Sequence, residues 1–316
     1  MPTVRLRDAS EYPAAAQKLF ELSKLWFGHD FPQPPAMSRV MAWDTDFGGP
    51  HGRAMKRAMN PGEFSRAEKE MVAAVVSGVN ACNYWVRAHT AAGKLQGMKE
   101  DALWYEAAQV VGVTNALNVV ADAFGVGTPG LPALDPAAAP DAARALFDDV
   151  RAFYHSTEVP LPFRLMAHHP AYAVDVWEAV RHAFGDNRLS RRLKEALAFA
   201  VSLTSRSPFG TAFHLAEMRR LGVGERGVME VLGVTQMFSS YTKIADTLQL
   251  EPDMGDIAPA DPSPAPGGQV PSGGQVSGTT RAKISKGERR VASKASRMSA
   301  SPTPAPVSRR AAKKPV

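Results

Sequence analysis

SRAEKEMVAAVVSGVNACNYWVRAHTAAGKLQG, running from Ser65 to Gly97, decides how the chain is read, because it holds the sole cysteine and recurs in altered form from Ser190 to Gly222. Sliding the sequence against itself by 125 residues places Ser65 on Ser190, Lys69 on Lys194, Glu70 on Glu195, Val76 on Val201, His89 on His214 and Gly97 on Gly222. A match of that length with no internal gap marks a duplication, and a fold assigned without it would be wrong.

Both copies read as two successive helices. Ser65 followed three residues on by Glu68 has the form of a capping box, and Met71, Val72, Val75, Val76 and Val79 recur at the spacings of one helix face. The first helix is therefore expected to lie in the core. In the second copy, Ser207 and Pro208 ahead of an apolar run read as an N-cap and first helical residue. Cys82 aligns with Ser207, so its thiol is expected at the start of the second helix. Free N–H groups and the helix dipole there favour an anion and would lower a cysteine pKa. His89 follows seven residues later, two turns on and on the same face, with Trp85 between them.

These residues resemble the carboxymuconolactone decarboxylase and AhpD-like (alkylhydroperoxidase D-like) superfamily. Its pattern is a Glu on one helix, eleven intervening residues, then Cys-x-x-Cys-x-x-x-His at the start of the next. The matching positions here are Glu70, Cys82, Trp85 and His89, so the second cysteine is replaced by tryptophan. The other repeat matches with Glu195, Ser207, Gly210 and His214, and has neither thiol. The similarity covers roughly Pro13 to Leu250.

Composition limits what else the chain can be. At 316 residues and 45% hydrophobic content it can bury a large core or two medium ones. No apolar run has signal-peptide or membrane-span length, so a soluble cytoplasmic protein with no membrane partner is expected. One cysteine cannot form an intrachain disulfide, and a dithiol cycle would need an external thiol. The net charge of +6 is unevenly placed: from Gly255 onward eleven Lys and Arg face three acids, leaving the preceding residues slightly acidic. A basic nucleic-acid face on the globular part is therefore not implied.

Outside the duplicated motif, Tyr12 to Trp26 and Ala142 to Tyr154 each read as one amphipathic helix, each followed by prolines. Apolar helices are expected over Ala102 to Phe124 and Arg226 to Leu248, after each motif. Gly125 to Pro140, GVGTPGLPALDPAAAP, has linker composition, and alternating strand patterns are nearly absent. His168 and His169 are consecutive, which points their rings apart, so they read as part of a turn and no metal site is expected.

The expected fold is all-α, with two tandem AhpD-like helical repeats followed by a disordered basic tail. Repeat one spans 1–126, a linker 127–140, repeat two 141–254 and the Pro/Ser/Ala-rich tail 255–316. The tail's composition cannot offset its ordering entropy, and its scattered cations allow weak contact with a polyanion.

What the resemblance implies chemically is thiol-dependent hydroperoxide reduction. Cys82 would attack the peroxide, with His89 taking its proton and Glu70 orienting the histidine. Glu195, Ser207 and His214 are the second-repeat equivalents, and Trp85 is a pocket residue. The implied partners are a small-molecule substrate such as a hydroperoxide, an external thiol or thiol protein as reductant, and further copies of the chain in a homo-oligomer; no cofactor is implied. Two alternatives stay open. One is acid–base lyase chemistry of the decarboxylase branch at the Glu–His pairs. The other is a degenerate scaffold in which Cys82 is a buried small hydrophobe.

Overall fold

The computed structural model describes residues 2–27, 31–123 and 131–255. Among the described residues there are twelve α-helices and no strand. In chain order these are α1 (Ala14–Phe27), α2 (Ala36–Met41), α3 (Thr45–Met59), α4 (Arg66–Val79), α5 (Asn83–Leu95), α6 (Asp101–Ala123), α7 (Asp141–Tyr154), α8 (Leu161–Met166), α9 (Pro170–Phe184), α10 (Arg191–Thr204), α11 (Pro208–Arg220) and α12 (Glu225–Thr247). The all-α expectation is met, while the expected tail lies outside the described residues beyond Gly255.

The pairs α4–α5 and α10–α11 are the duplicated motif, and the same local chemistry builds both. Ser65 caps α4 by accepting from the Glu68 amide at 3.2 Å, and the Glu68 carboxylate accepts from the Ser65 amide at 2.7 Å. Ser190 accepts from the Leu193 amide at 3.3 Å, with no acid at the third position to reciprocate. Each first helix then ends in the same tight turn, in which the Cys82 amide donates to the Ser77 carbonyl and the Ser207 amide to that of Ser202, both at 2.9 Å. The residue ahead of each of these amides adopts a left-handed backbone: Ala81 with φ 59° and Arg206 with φ 61°. Glycine is the usual occupant of such a helix end, since a Cβ there is strained.

Burial follows the apolar pattern. Met71, Val72, Val75 and Val76 of α4 are in the core, as are Leu193, Leu197 and Val201 of α10. The two helices pack against each other at the centre. Around them the sequence repeats exchange their last helices: α6 lies along α10 and α11, and α12 along α4 and α3. Matching buried ion pairs pin this exchange. Lys69 donates to the Asn60 carbonyl and sits 3.2 Å from Glu230 of α12. Lys194 donates to the Gly185 carbonyl and sits 3.5 Å from Glu106 of α6. Each carboxylate also accepts from two backbone amides, Glu63 and Phe64 for Glu230, Arg188 and Leu189 for Glu106. A lysine removed from water is tolerable only with such full pairing.

Four helices lie where no helix was expected, namely α2, α3, α8 and α9. Gly48, Gly49 and Pro50 disguise α3 in the sequence, since such residues ordinarily break a helix. Gly48 is needed for packing, because a Cβ there would collide with the Met41 carbonyl of α2. His168 and His169 are in the turn before α9: His168 Nε2 donates to the Pro132 carbonyl at 2.7 Å, and His169 Nδ1 accepts from the Tyr172 amide at 3.3 Å. No cluster of His, Cys, Asp and Glu suited to a metal occurs among the described residues, and no described helix is long and apolar enough to cross a membrane.

Candidate functional site

Each repeat assembles one Arg–Glu–His triad from its motif helices, with the acid and the histidine buried. In the first, Glu70 of α4 accepts from His89 Nδ1 of α5 at 2.6 Å through one carboxylate oxygen and from Arg66 Nε at 2.6 Å through the other. In the second, Glu195 accepts from His214 Nδ1 at 2.7 Å and from Arg191 Nε at 2.7 Å. Both glutamates are fully buried, and both histidines nearly so. Burial alone would raise the Glu70 pKa, but the His89 hydrogen bond and charge, together with Arg66, overcome this and hold it below the usual carboxylate range. The Glu70 bond fixes the ring through Nδ1, so Nε2 is the ring nitrogen not held by the acid. That Nε2 is buried and has no hydrogen-bond partner among the described residues.

Arg66 and Arg191 were not anticipated as members of these sites. The signal was available: both begin their helix, they align at the same 125-residue offset, and each stands four residues before its glutamate, one helical turn away.

The two histidines have different surroundings. His89 is stacked on Trp85, with ring centroids 5.2 Å apart and 21° between planes, and meets the edge of Phe238 at 4.2 Å. Trp85 Nε1 donates to the Tyr241 carbonyl at 3.1 Å, which ties the indole to α12. His214 is stacked on Phe184 at 5.7 Å and packs edge-on to Phe213 at 5.2 Å. Gly210 holds the place equivalent to Trp85, and a Cβ there would collide with Asn118 Oδ1 and Ser202 Oγ. The second repeat therefore has no room for a cysteine at that position without rearrangement. Ser207 is buried and spends its hydroxyl accepting from the Gly210 amide at 3.0 Å.

Cys82 is the N-cap of α5, as its alignment with Ser207 requires, but the expected lowering of its pKa is not found. Burial pushes the thiol up to about 12, the Asp246 carboxylate adds to the rise, and the Trp85 and Tyr84 amides at the helix start only partly oppose it. The residue is 1% exposed. Apolar enclosure and a neighbouring anion thus outweigh the helix N-terminus, since both penalise a thiolate. The sequence did not reveal Asp246 as a neighbour, because it arrives from α12, the exchanged helix of the other repeat.

A cavity of about 220 Å³ is lined by Trp85, the residue whose indole stacks on His89. Its walls come from α1, α2, α3, α5 and α12, and include Met37, Met41, Met55, Trp85, Tyr241 and Met254. Cys82, Glu70 and His89 do not line it.

The segments that contain the duplicated helix pairs are those a family model matches. The model of the carboxymuconolactone decarboxylase family matches residues 52–128 and again 170–250, one match for each motif. The chain belongs to the carboxymuconolactone decarboxylase family.

Among solved structures, a gamma-carboxymuconolactone decarboxylase subunit from Burkholderia xenovorans LB400, so described, is similar at 18% identity and a TM-score of 0.50, over 74% of this chain and 96% of that one. A peroxidase-related protein from Silicibacter sp. TM1040 is 17% identical with a TM-score of 0.44, over 80% and 92% of the two chains. A peroxidase-related protein with an alkylhydroperoxidase AhpD core, from Ralstonia eutropha JMP134, is 14% identical with a TM-score of 0.46, over 82% and 97%. At these identities the likeness is one of fold. None of the curated proteins matches the chain significantly.

Proposed function

We propose that this chain is a small-molecule-binding member of the family whose activity does not run through a Cys82 thiolate. One observation carries the reading: Trp85 occupies the second-cysteine position and walls a cavity of about 220 Å³ while covering His89. A peroxidatic thiol must be reachable and ionised, and Cys82 is 1% exposed with its pKa pushed up to about 12. Its place at the N-cap of α5 favours hydroperoxide reduction, but burial and Asp246 oppose that more strongly.

The test has two arms. Hydroperoxide consumption with dithiothreitol as reductant is compared between the wild type and Cys82→Ser; equal rates are expected, and a rate lost in the variant restores the peroxidase reading. Ligand-observed NMR with toluene and ethylbenzene then probes the cavity. Both are expected to bind the wild type and to be displaced from a Gly52→Leu variant. Gly52 lines the cavity, and a Cβ there meets nothing within 4 Å, so the new side chain extends into open space. Removing a glycine from the interior of α3 also favours the helix, so the variant is expected to fold, which its circular dichroism checks. Absence of binding to the wild type overturns the reading.

Proton transfer at the Glu–His pairs is a second reading. It is favoured by His89 Nε2, which has no hydrogen-bond partner among the described residues and whose ring is oriented by Glu70, the arrangement an acid–base residue needs. Its test is hydrogen–deuterium exchange at a carbon beside a carbonyl in a bound acid, which His89→Asn would abolish and Cys82→Ser would leave intact.

A further inference from the structure

The cavity that Trp85 lines is apolar through most of its wall, but its charged lining is one-sided. Arg53 and Lys56 of α3 line it, and no carboxylate does among the described residues. Arg53 makes no ion pair among the described residues. Its guanidinium folds back along its own helix toward Gly49, close enough that a Cβ on that glycine would lie 3.4 Å from the nearer terminal nitrogen. Gly49 is buried and lines the cavity, so its missing side chain leaves room beside the wall for the guanidinium of Arg53, a solvent-exposed residue at the cavity's rim. Ser23 and Ser38, hydroxyls 3.2 Å apart, add polar groups to the same lining.

Size limits the occupant as firmly as charge does. An apolar cavity of about 150 Å³ is known to hold a benzene molecule. The space here, about 220 Å³, suits one ring with a short chain and falls below the range of drug-sized sites. Methionines make up much of the wall, and their flexible thioethers adapt to ring edges and alkyl chains alike.

We propose that the cavity between α3, α5 and α12 takes a small aryl or alkyl carboxylate, its apolar body against Trp85 and the cavity methionines, its carboxylate paired with Arg53. The proposal rests on the ligand-binding reading above and names the ligand class. A planar guanidinium matches a carboxylate through two parallel N–H bonds, which a neutral amide cannot reproduce.

The probes are 3-phenylpropanoate and its neutral counterpart 3-phenylpropanamide, titrated calorimetrically into the full chain. The wild type is expected to bind the carboxylate about fivefold more tightly than the amide, as befits one solvent-facing charge-assisted contact. Raising the salt should shrink that preference. In Arg53→Gln the preference should vanish while amide affinity holds, and in Gly52→Leu both probes should fail to bind. Equal affinities in the wild type, or an unchanged preference in Arg53→Gln, overturn the carboxylate assignment and leave an apolar site. If neither probe binds, and toluene also fails, the binding reading itself falls.

Discussion

Trp85 and His89 lie one turn apart on α5 with their rings stacked at 5.2 Å, so the indole covers one face of the imidazole while itself lining the cavity. The same indole is 4% exposed, donates to Tyr241 and meets Tyr84, Phe238 and Tyr241 edge-on. Because it touches both the cavity and the triad's histidine, we expect it to act as a partition whose removal joins the two.

Trp85→Ala should therefore cost about 3–5 kcal/mol in urea unfolding, the usual loss for a large buried aromatic. It should also make His89 modifiable by diethyl pyrocarbonate, read by mass spectrometry, where the wild-type residue is protected. A loss under about 1 kcal/mol would mean that the indole is poorly packed and that the partition is open.

Glu70 and Glu195 are held by the same two partner types at closely similar distances, so their loss should have similar consequences. Glu70→Gln and Glu195→Gln each leave an arginine facing a neutral amide in a buried setting, and each should cost about 3–5 kcal/mol. Arg191 is more enclosed than Arg66, lying over Phe153 at 4.4 Å, but it also has Glu217 at 3.5 Å as a second acid. The check is a pair of urea curves; a silent substitution at either glutamate would show that its triad contributes no net stability.

Acid should expose the same link. The Glu70 pKa is lowered in the folded chain, so its stabilising contribution is fully present above the ordinary carboxylate range and is lost as pH falls through the lowered folded value. Glu106 and Glu230 are lowered as well: burial would raise each, but backbone amides and a buried lysine prevail. Stability should therefore fall with decreasing pH, and the slope below the ordinary carboxylate range should be shallower in Glu70→Gln. Equal slopes would place Glu70 outside the acid transition.

The duplication, the capping box at Ser65, the motif helices and the Glu–His spacing were all legible in the sequence, because each is a local pattern carried by a 3.6-residue period or a fixed offset. The four missed helices were hidden by local chemistry that tertiary contact overrides, as at Gly48, which admits the Met41 carbonyl. What the sequence could not reveal was the exchange of α6 and α12. That exchange brings Asp246 beside Cys82 and sets Phe238 and Tyr241 around Trp85, so the thiol pKa is raised where the helix N-terminus alone would lower it.

The turn between each pair of motif helices offers a stability test independent of the site. Ala81 and Arg206 are exposed and adopt a left-handed backbone, which costs about 1–2 kcal/mol for a residue with a Cβ. Glycine removes that strain but adds unfolded-state entropy of about 0.4–1 kcal/mol. Ala81→Gly and Arg206→Gly should each stabilise the fold by about 0.5–1 kcal/mol, read as a shift in urea midpoint, with the effects additive because the turns lie in separate repeats. Ala81→Val should go the other way.

Cys82 makes the sharpest demand on the structure, since it is the position where the family pattern and the physical environment disagree. A thiol reacts with iodoacetamide as its anion, so the native rate should climb with pH without levelling off through pH ~10, as a pKa pushed up to about 12 requires. Enclosure acts on top of ionisation: at 1% exposure the sulfur is reached only through opening of the α4–α5 turn or the α12 contact, so mild urea should accelerate labelling. Asp246→Asn separates the two causes. Removing that carboxylate takes away the second-largest contribution to the raised pKa, so the labelling profile should move to lower pH while remaining slow at neutrality, because burial persists. Fast labelling of the native wild type at pH ~7, slowed by His89→Asn, would instead identify an activated thiolate and return hydroperoxide reduction to the front.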